Sequence, residues 1–247
     1  MMESTCQKNR YERDSLAISG YHPASGRDMG KQKRNCSLQQ AGQVGYQQGL
    51  DLQAVTRGLV RSGGADGILL LLEHHPVITI GRAGGKENLQ INPGDLRSSG
   101  IEVVDTNRGG NVTCHNPGQL VGYPILDLCK WVQDVHWYVH ALEEVVIRTL
   151  AYYGLRAGRK SRYTGVWLDD EKIAAIGVSV RQWITGHGFA FNINNDLNLF
   201  SAIVPCGIQE FGVTSLAKTG VEVSVDEVSS KITQEFERVF CCKFEQV

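Results

Sequence analysis

The chain of 247 residues predicts an α/β (α+β) domain, a mixed, mostly antiparallel sheet flanked by helices. Three observations carry that prediction. Short continuous apolar runs bounded by turn residues read as buried strands, and capped segments with apolar residues at steps of three and four read as helices. Both kinds occur in one chain with 42% hydrophobic residues, enough for a single sizeable core.

Taken in order, residues 1–36 are polar and without hydrophobic period, and are expected to be a poorly ordered tail. Residues 37–247 are expected to form one domain, its ordered structure starting near Ser37. Tyr46, Leu50, Ala54 and Leu59 give a helical signal that Gly49 and Gly58 weaken, and RSGGADG closes it as a loop. Ile68 to Leu72 and Val77 to Ile80 are two buried strands on either side of the His74-His75-Pro76 connection. IEVVD at 101–105 is a further strand, leading into RGGNVTCHNPGQLVGY, residues 108–123. That stretch has no helical period, and only from Leu120 does it read as strand, continuing to about residue 128.

Asp134 is a helix N-cap for Val135, Val139, Leu142, Val146, Leu150 and Tyr153, with Gly154 as the stop. TGVWLDDEKIAAIGVSV is a hairpin turning at Asp169-Asp170, followed by a strand at GFAFNIN, 188–194. Ser224 and Glu227 form a capping box ahead of Val225, Val228, Ile232, Phe236 and Val239, so a helix closes the domain.

Charge excludes some partners. With 25 basic and 26 acidic residues the formal net charge is -1, so there is no overall field to gather nucleic acid or an anionic membrane. Seven cysteines without a CxxC pair point to reduced thiols, no structural zinc and a cytoplasmic location, as does the lack of any run long enough for a signal peptide or a membrane span.

Two places invite chemistry. In the 108–123 stretch, Gly109-Gly110 lets backbone approach a ligand and Pro117-Gly118 fixes a turn, which makes this a binding loop holding an arginine and a histidine. Cys206 sits in IVPCGI, where Pro205 and Gly207 break regular structure in a way that suits a nucleophile. A free thiol near pKa ~8.5 is mostly protonated at neutral pH, so a catalytic cysteine needs a cation beside it. His115, His187, Lys172 and Lys218 can each supply one, Lys172 from the start of an apolar strand. His136 and His140 lack the Glu of HExxH, and GRAGG at 81–85 is neither GxGxxG nor a P-loop, so neither metal nor nucleotide is expected.

With Arg108-Gly109-Gly110, Thr113, His115, Pro117-Gly118-Gln119 and Tyr123, KIAAIG at 172–177, GFAFNIN, and PCGI followed by GVTSL at 205–216, the chain resembles the lipoyl(octanoyl) transferase family of lipoate biosynthesis, in motif order, from about residue 37 to 240. The resemblance implies a fold related to the biotin and lipoate protein ligase catalytic domains. It implies transfer of octanoyl from acyl carrier protein to Cys206, then to a lysine on the lipoyl domains of 2-oxoacid dehydrogenases and the glycine cleavage H protein, with no ATP, metal or other cofactor. Lys172 matches the lysine that lowers the cysteine pKa. Substrate contacts are implied at Arg108, Gly109, Gly110, Asn111, Val112, Thr113, Cys114 and His115, at Ala175, Ile176 and Gly177, and at Gly188, Phe189 and Ala190.

Cys114 stands where the family usually has an aromatic residue, which implies a smaller pocket wall and a second thiol near the site. Two other readings compete: an ATP-dependent lipoate or biotin ligase on the same fold, and a non-catalytic module that docks acyl carrier or lipoyl domains. Arg156, Arg159, Lys160 and Arg162 offer a local basic patch for acidic partners.

Overall fold

Runs such as ILLLL and LVGYPIL are apolar on both faces, and a strand of that kind is stable where the sheet is covered on both sides. The computed structural model describes residues 34–204 and 211–245. In chain order the strands and helices are β1 (Arg34–Val44), α1 (Tyr46–Arg61), β2 (Gly67–His74), β3 (Val77–Ile80), α2 (Pro93–Ser98), β4 (Glu102–Asp105), β5 (Val112–His115), β6 (Gln119–Leu126), α3 (Val135–Tyr152), β7 (Gly158–Lys160), β8 (Tyr163–Leu168), β9 (Glu171–Arg181), β10 (Ile184–Asn192), β11 (Gly212–Val213), α4 (Val225–Phe240) and β12 (Cys242–Glu245). Nine strands form one sheet, ordered β12-β1-β2-β6-β10-β9-β8-β7 with β11 added beside β9, and three form a second, β4-β3-β5. From β2 through β7 the large sheet is antiparallel, and β12-β1-β2 and β11-β9 are parallel. The mixed, mostly antiparallel sheet predicted above is the one that forms.

β2 and β6 are buried almost throughout and lie inside the large sheet. Ile68, Leu70 and Leu72 pair with Ile125, Tyr123 and Val121 and join Val60 of α1 in one apolar cluster, so α1 covers that face. The residues between them point to the other face, as a period of two requires. There the Tyr138 hydroxyl of α3 donates to the Pro124 carbonyl at 3.1 Å, and Trp137 and Tyr138 pack on Phe240 of α4. The predicted caps are formed: Asp134 Oδ1 accepts from the amides of His136 and Trp137, and Ser224 and Glu227 exchange hydrogen bonds. No helix among the described residues is long and apolar enough to cross a membrane.

Two segments differ from the sequence reading. β1 already runs from Arg34, ahead of Ser37, because it is clamped between β12 and β2 and buries Cys36 opposite Gly67. The 108–123 stretch also holds a strand before Leu120: Val112–His115 is fully buried and pairs antiparallel with β3. Four residues between a Gly-Gly and an Asn-Pro-Gly turn are too few to show a period, and it is their partner that makes them a strand.

Candidate active site

Where β9, β10 and β6 run side by side, the side chains on one face shrink. Ala175 pairs with Ala190, Gly177 with Gly188, and Ala190 in turn with Val121. These positions share the face that holds Val121 and Tyr123, so four adjacent sites carry at most a methyl group and leave room above the sheet. That space is part of a cavity of about 610 Å³, whose lining also takes in Ile176, Phe189 and the α3 residues Val135 and Val139. Its roof is the Arg108 loop, which docks on β9 past the end of β8: the Gly109 amide donates to the Val178 carbonyl at 2.8 Å. A side chain at Gly177 would place its Cβ 3.0 Å from the Gly109 carbonyl oxygen and 3.3 Å from Arg108 Cδ, so close approach of two backbones explains the glycines there.

The loop is itself fastened down. Arg108 is buried and donates through Nη2 to the Thr79 carbonyl at 2.6 Å and through Nε to Thr79 Oγ1 at 3.2 Å. GRAGG, residues 81–85, lies along it, with the amides of Gly81, Arg82 and Ala83 donating to the carbonyls of Asn111, Arg108 and Gly110. That is the work of the glycine-rich turn that matched no nucleotide motif.

Lys172 lines the same cavity, one position into β9, paired with Trp167 on one side and Val213 on the other. Its Nζ donates to the Thr164 carbonyl at 3.1 Å and sits 4.8 Å from the centroid of the Trp167 ring. Gly165, at φ 131°, makes space for the stem: a Cβ there would meet Lys172 Cε at 3.3 Å and the Ala174 carbonyl oxygen at 2.7 Å. Beside Lys172 a smaller cleft opens between Trp167, Phe200, Phe211 and Val213.

At the end of the floor away from Lys172, Tyr46, His74, His115, Tyr123 and His187 interlock as a buried ring cluster. The His74 Nδ1–H must donate to the Val44 carbonyl, 3.1 Å away, so its Nε2 accepts from the Tyr123 hydroxyl at 2.7 Å. His115 Nδ1 is 2.7 Å from Gln119 Oε1, and His187 Nε2 is 2.6 Å from Asn107 Oδ1. Burial first, and then neighbouring histidines and Arg108, push the pKa of His115 down to about 3 and hold His74 and His187 near about 4. All three are neutral at pH 7.

A folded pKa below the unfolded value of ~6.5 means that the unfolded chain takes up protons first as pH falls, so stability rises with pH across this range. Between pH 6.5 and 5 the three rings together remove on the order of 5 kcal/mol. Thermal unfolding followed by circular dichroism is expected to show Tm lower by ~10 °C or more at pH 5 than at pH 7. A shift of under ~3 °C would contradict burial of three neutral imidazoles.

Neutral rings cannot act as the cation a nucleophilic thiol requires, which removes His115 and His187 from the four candidates. Lys218 is engaged with Glu171 at 2.6 Å. Lys172 is the lysine among the cavity-lining residues. Cys206 falls in residues 205–210, outside the described residues. Val204 before that segment donates to the Asn88 carbonyl at 2.8 Å. After it, Phe211 packs on Tyr163 and Trp167, and Val213 pairs with Lys172.

Arg108, Gly109, Gly110, Asn111, Thr113, His115, Ala175, Ile176, Gly177, Gly188, Phe189 and Ala190 all line the cavity. Val112 and Cys114 do not. On β5 the side chains alternate, so Thr113 and His115 face the cavity while Val112 and Cys114 join Ile78, Ile80, Leu96, Ala202 and Ile203 in a separate apolar cluster. The reading of Cys114 as a smaller wall and a second thiol near the site is therefore corrected: burial raises its pKa, and it lies opposite Ile78 of β3 in that apolar cluster.

The basic patch is partly engaged within the fold. Arg159 is tied to Glu143 and Glu144, and Lys160 to Asp170, so two of its four charges are neutralised within the fold. Of the paired helix histidines, His136 is exposed and His140 contacts Glu143.

A family model described as the lipoyl protein ligase A/B catalytic domain matches residues 46–237. An octanoyltransferase of Caldanaerobacter subterraneus subsp. tengcongensis is 50% identical over 206 residues, covering 83% of this chain and 90% of its own length. One of Solibacter usitatus is 51% identical over 207 residues, covering 84% and 94%. The chain belongs to the octanoyltransferase family. Membership makes it an acyltransferase.

Among solved structures, lipoate-protein ligase A bound with ATP matches at a TM-score of 0.70 and 18% identity, over 87% of this chain and 89% of that one. Protein Ta0514 of T. acidophilum with bound lipoic acid matches at 0.69 and 19%, over 87% and 89%. At such identities the likeness is one of fold.

In this member of the octanoyltransferase family, several cavity residues escaped the sequence reading. By sequence Tyr46 reads as an apolar helix position, and Val135 and Val139 as the buried stripe of α3, yet all three line the cavity. Arg82 and Ala83 also line it, and the signal for them was GRAGG directly after a buried strand.

Proposed function

We propose that the protein takes an octanoyl group from the thioester of an acyl carrier protein onto Cys206 and passes it to the side-chain amine of a lysine on a lipoyl domain. The observation that carries this reading is the small-residue floor that starts beside Lys172. From Lys172 to Gly177, five residues of strand span ~17 Å, more than an extended eight-carbon chain needs. Burying the alkyl chain contributes ~0.8 kcal/mol per CH₂, roughly 5 kcal/mol in all. Val213 supports the assignment of Cys206 as partner, since it follows the cysteine by seven positions in sequence and is paired with Lys172.

In the first half-reaction the Cys206 thiolate attacks the carrier thioester carbonyl, a new C–S bond forms, the old one breaks, and the carrier thiolate leaves and takes a proton. In the second, the acceptor amine attacks the acyl-enzyme, a C–N bond forms, Cys206 leaves as thiolate and the amine gives up a proton. Thioester exchange is near balance and amide formation is downhill, so no ATP enters. Two protein substrates then visit one site in turn. The Gly110 amide of the loop, or amides of the floor strands, are the donors for the tetrahedral oxyanion.

Ala175 is the floor position closest in sequence to Lys172, and it lines both the cavity and the smaller cleft. Ala175→Leu is expected to cut ATP-free octanoyl transfer from carrier to lipoyl domain by roughly 100-fold while sparing an acetyl donor. Equal losses with both chain lengths, or transfer that requires ATP and free octanoate, would remove the acyl chain from this floor.

A further inference from the structure

On the outer side of His187 lies a second cavity, of about 570 Å³, between α1 and the β9–β10 hairpin. One face of α1 supplies Gln53, Arg57 and Arg61 at steps of four, and Arg181 comes from the end of β9. The Gln53 side chain is buried, at 5% exposure, and its Oε1 accepts the His187 backbone N–H at 2.7 Å. That bond fixes the amide orientation, because a backbone N–H needs the oxygen. The Gln53 Nε2 donor is thereby left without a partner, and so is Arg57 Nε.

Arg57 is anchored by its other end, Nη2 donating to the Thr185 carbonyl at 3.2 Å. Burial and the charges of Arg61 and Arg181 lower its pKa, so the guanidiniums repel one another, and among the described residues Asp105 is the acidic side chain on the cavity wall. Asp105 is exposed and paired with Lys86 at 3.0 Å.

We propose that this cavity is a binding site for a phosphate group, separate from the acyl cavity and sharing only the His187 wall with it. The donor set suits phosphate better than carboxylate: the Gln53 side-chain amide and three arginines line this cavity, and a tetrahedral dianion offers oxygens to several donors at once. Buried donors that lack partners are costly, and an anion that accepts from them removes that cost. The phosphate is either free or the ester on a larger molecule such as the prosthetic arm of an acyl carrier. Only the second source rests on the acyl-transfer reading, so the site itself is testable apart from it.

The test is calorimetric titration of the full chain with inorganic phosphate and, separately, with phosphopantetheine, alongside NMR of the Gln53 side-chain amide. Phosphate is expected to bind saturably and in preference to chloride and to move the Gln53 amide signal. The exposed-residue variants Arg61→Gln and Arg181→Gln are each expected to weaken binding by roughly tenfold or more. Phosphopantetheine binding tighter than phosphate, and losing that margin in Arg181→Gln, assigns the site to an ester, and equal affinities assign it to free phosphate. Binding no stronger than that of chloride, or unchanged in both variants with the Gln53 signal unmoved, overturns the proposal.

Discussion

Replacement of Cys206 by alanine is expected to reduce octanoyl transfer by a factor on the order of 10⁴ or more, because the covalent route is lost and direct attack of one protein's amine on another's thioester has no organised path. The variant is expected to retain the fold, since loss of one sulfur atom leaves untouched the residues that pair β2 with β6 at the centre of the sheet and pack α3 on α4. The measurement is single-turnover transfer from octanoyl carrier to lipoyl domain, with Tm recorded on the same preparation. An alanine variant that transfers octanoyl at the parent rate would remove the cysteine from the chemistry.

The second large effect is at Lys172. In the proposed mechanism, with His115 and His187 neutral, the charge that favours a thiolate at neutral pH is assigned to this lysine. A free thiol near ~8.5 is only a few per cent ionised at pH 7, whereas one lowered by about two units is mostly ionised. Lys172→Met is therefore expected to slow acylation by roughly 20-fold or more at pH 7, and the deficit is expected to shrink toward pH 9 as thiolate forms unaided. A cation lowers the pKa of an acid, so removing it moves the pH–rate profile to higher pH. A loss of equal size at every pH from 6 to about 9 would leave Lys172 a role in placing substrate but none in activating the nucleophile.

The parts of the fold that could be read in advance were those with a local cause. α3 and α4 announce themselves through Asp134 and through Ser224 with Glu227, where cap and apolar stripe agree, and the Asp169-Asp170 turn marks its hairpin. β1 and β5 had no such cause. RNCSLQQAGQV has little apolar alternation and is held by two parallel neighbours, and VTCH is ordered by β3, both decisions of tertiary pairing.

The site shows the same division. The glycines and Arg108 were legible because a loop with that composition makes poor scaffold. What the chain could not display was the side of β5 on which each residue falls, which sends Cys114 into the core beside Ile78 and keeps His115 at the cavity. The alignment of Ala175 and Gly177 with Ala190 and Gly188 is likewise a matter of register between strands. Nor could it show that Arg159 and Lys160 are committed to Glu143, Glu144 and Asp170, since those pairs join a helix, a short strand and a turn.

The most direct test of a covalent course through Cys206 is the intact mass of the protein after incubation with octanoyl carrier protein in the absence of acceptor, followed by peptide mapping. The account predicts one octanoyl group, on Cys206, that disappears when a lipoyl domain is added and reappears as an amide on that domain's lysine. Transfer proceeding with no acyl-enzyme, or with the adduct on a different residue, would contradict it.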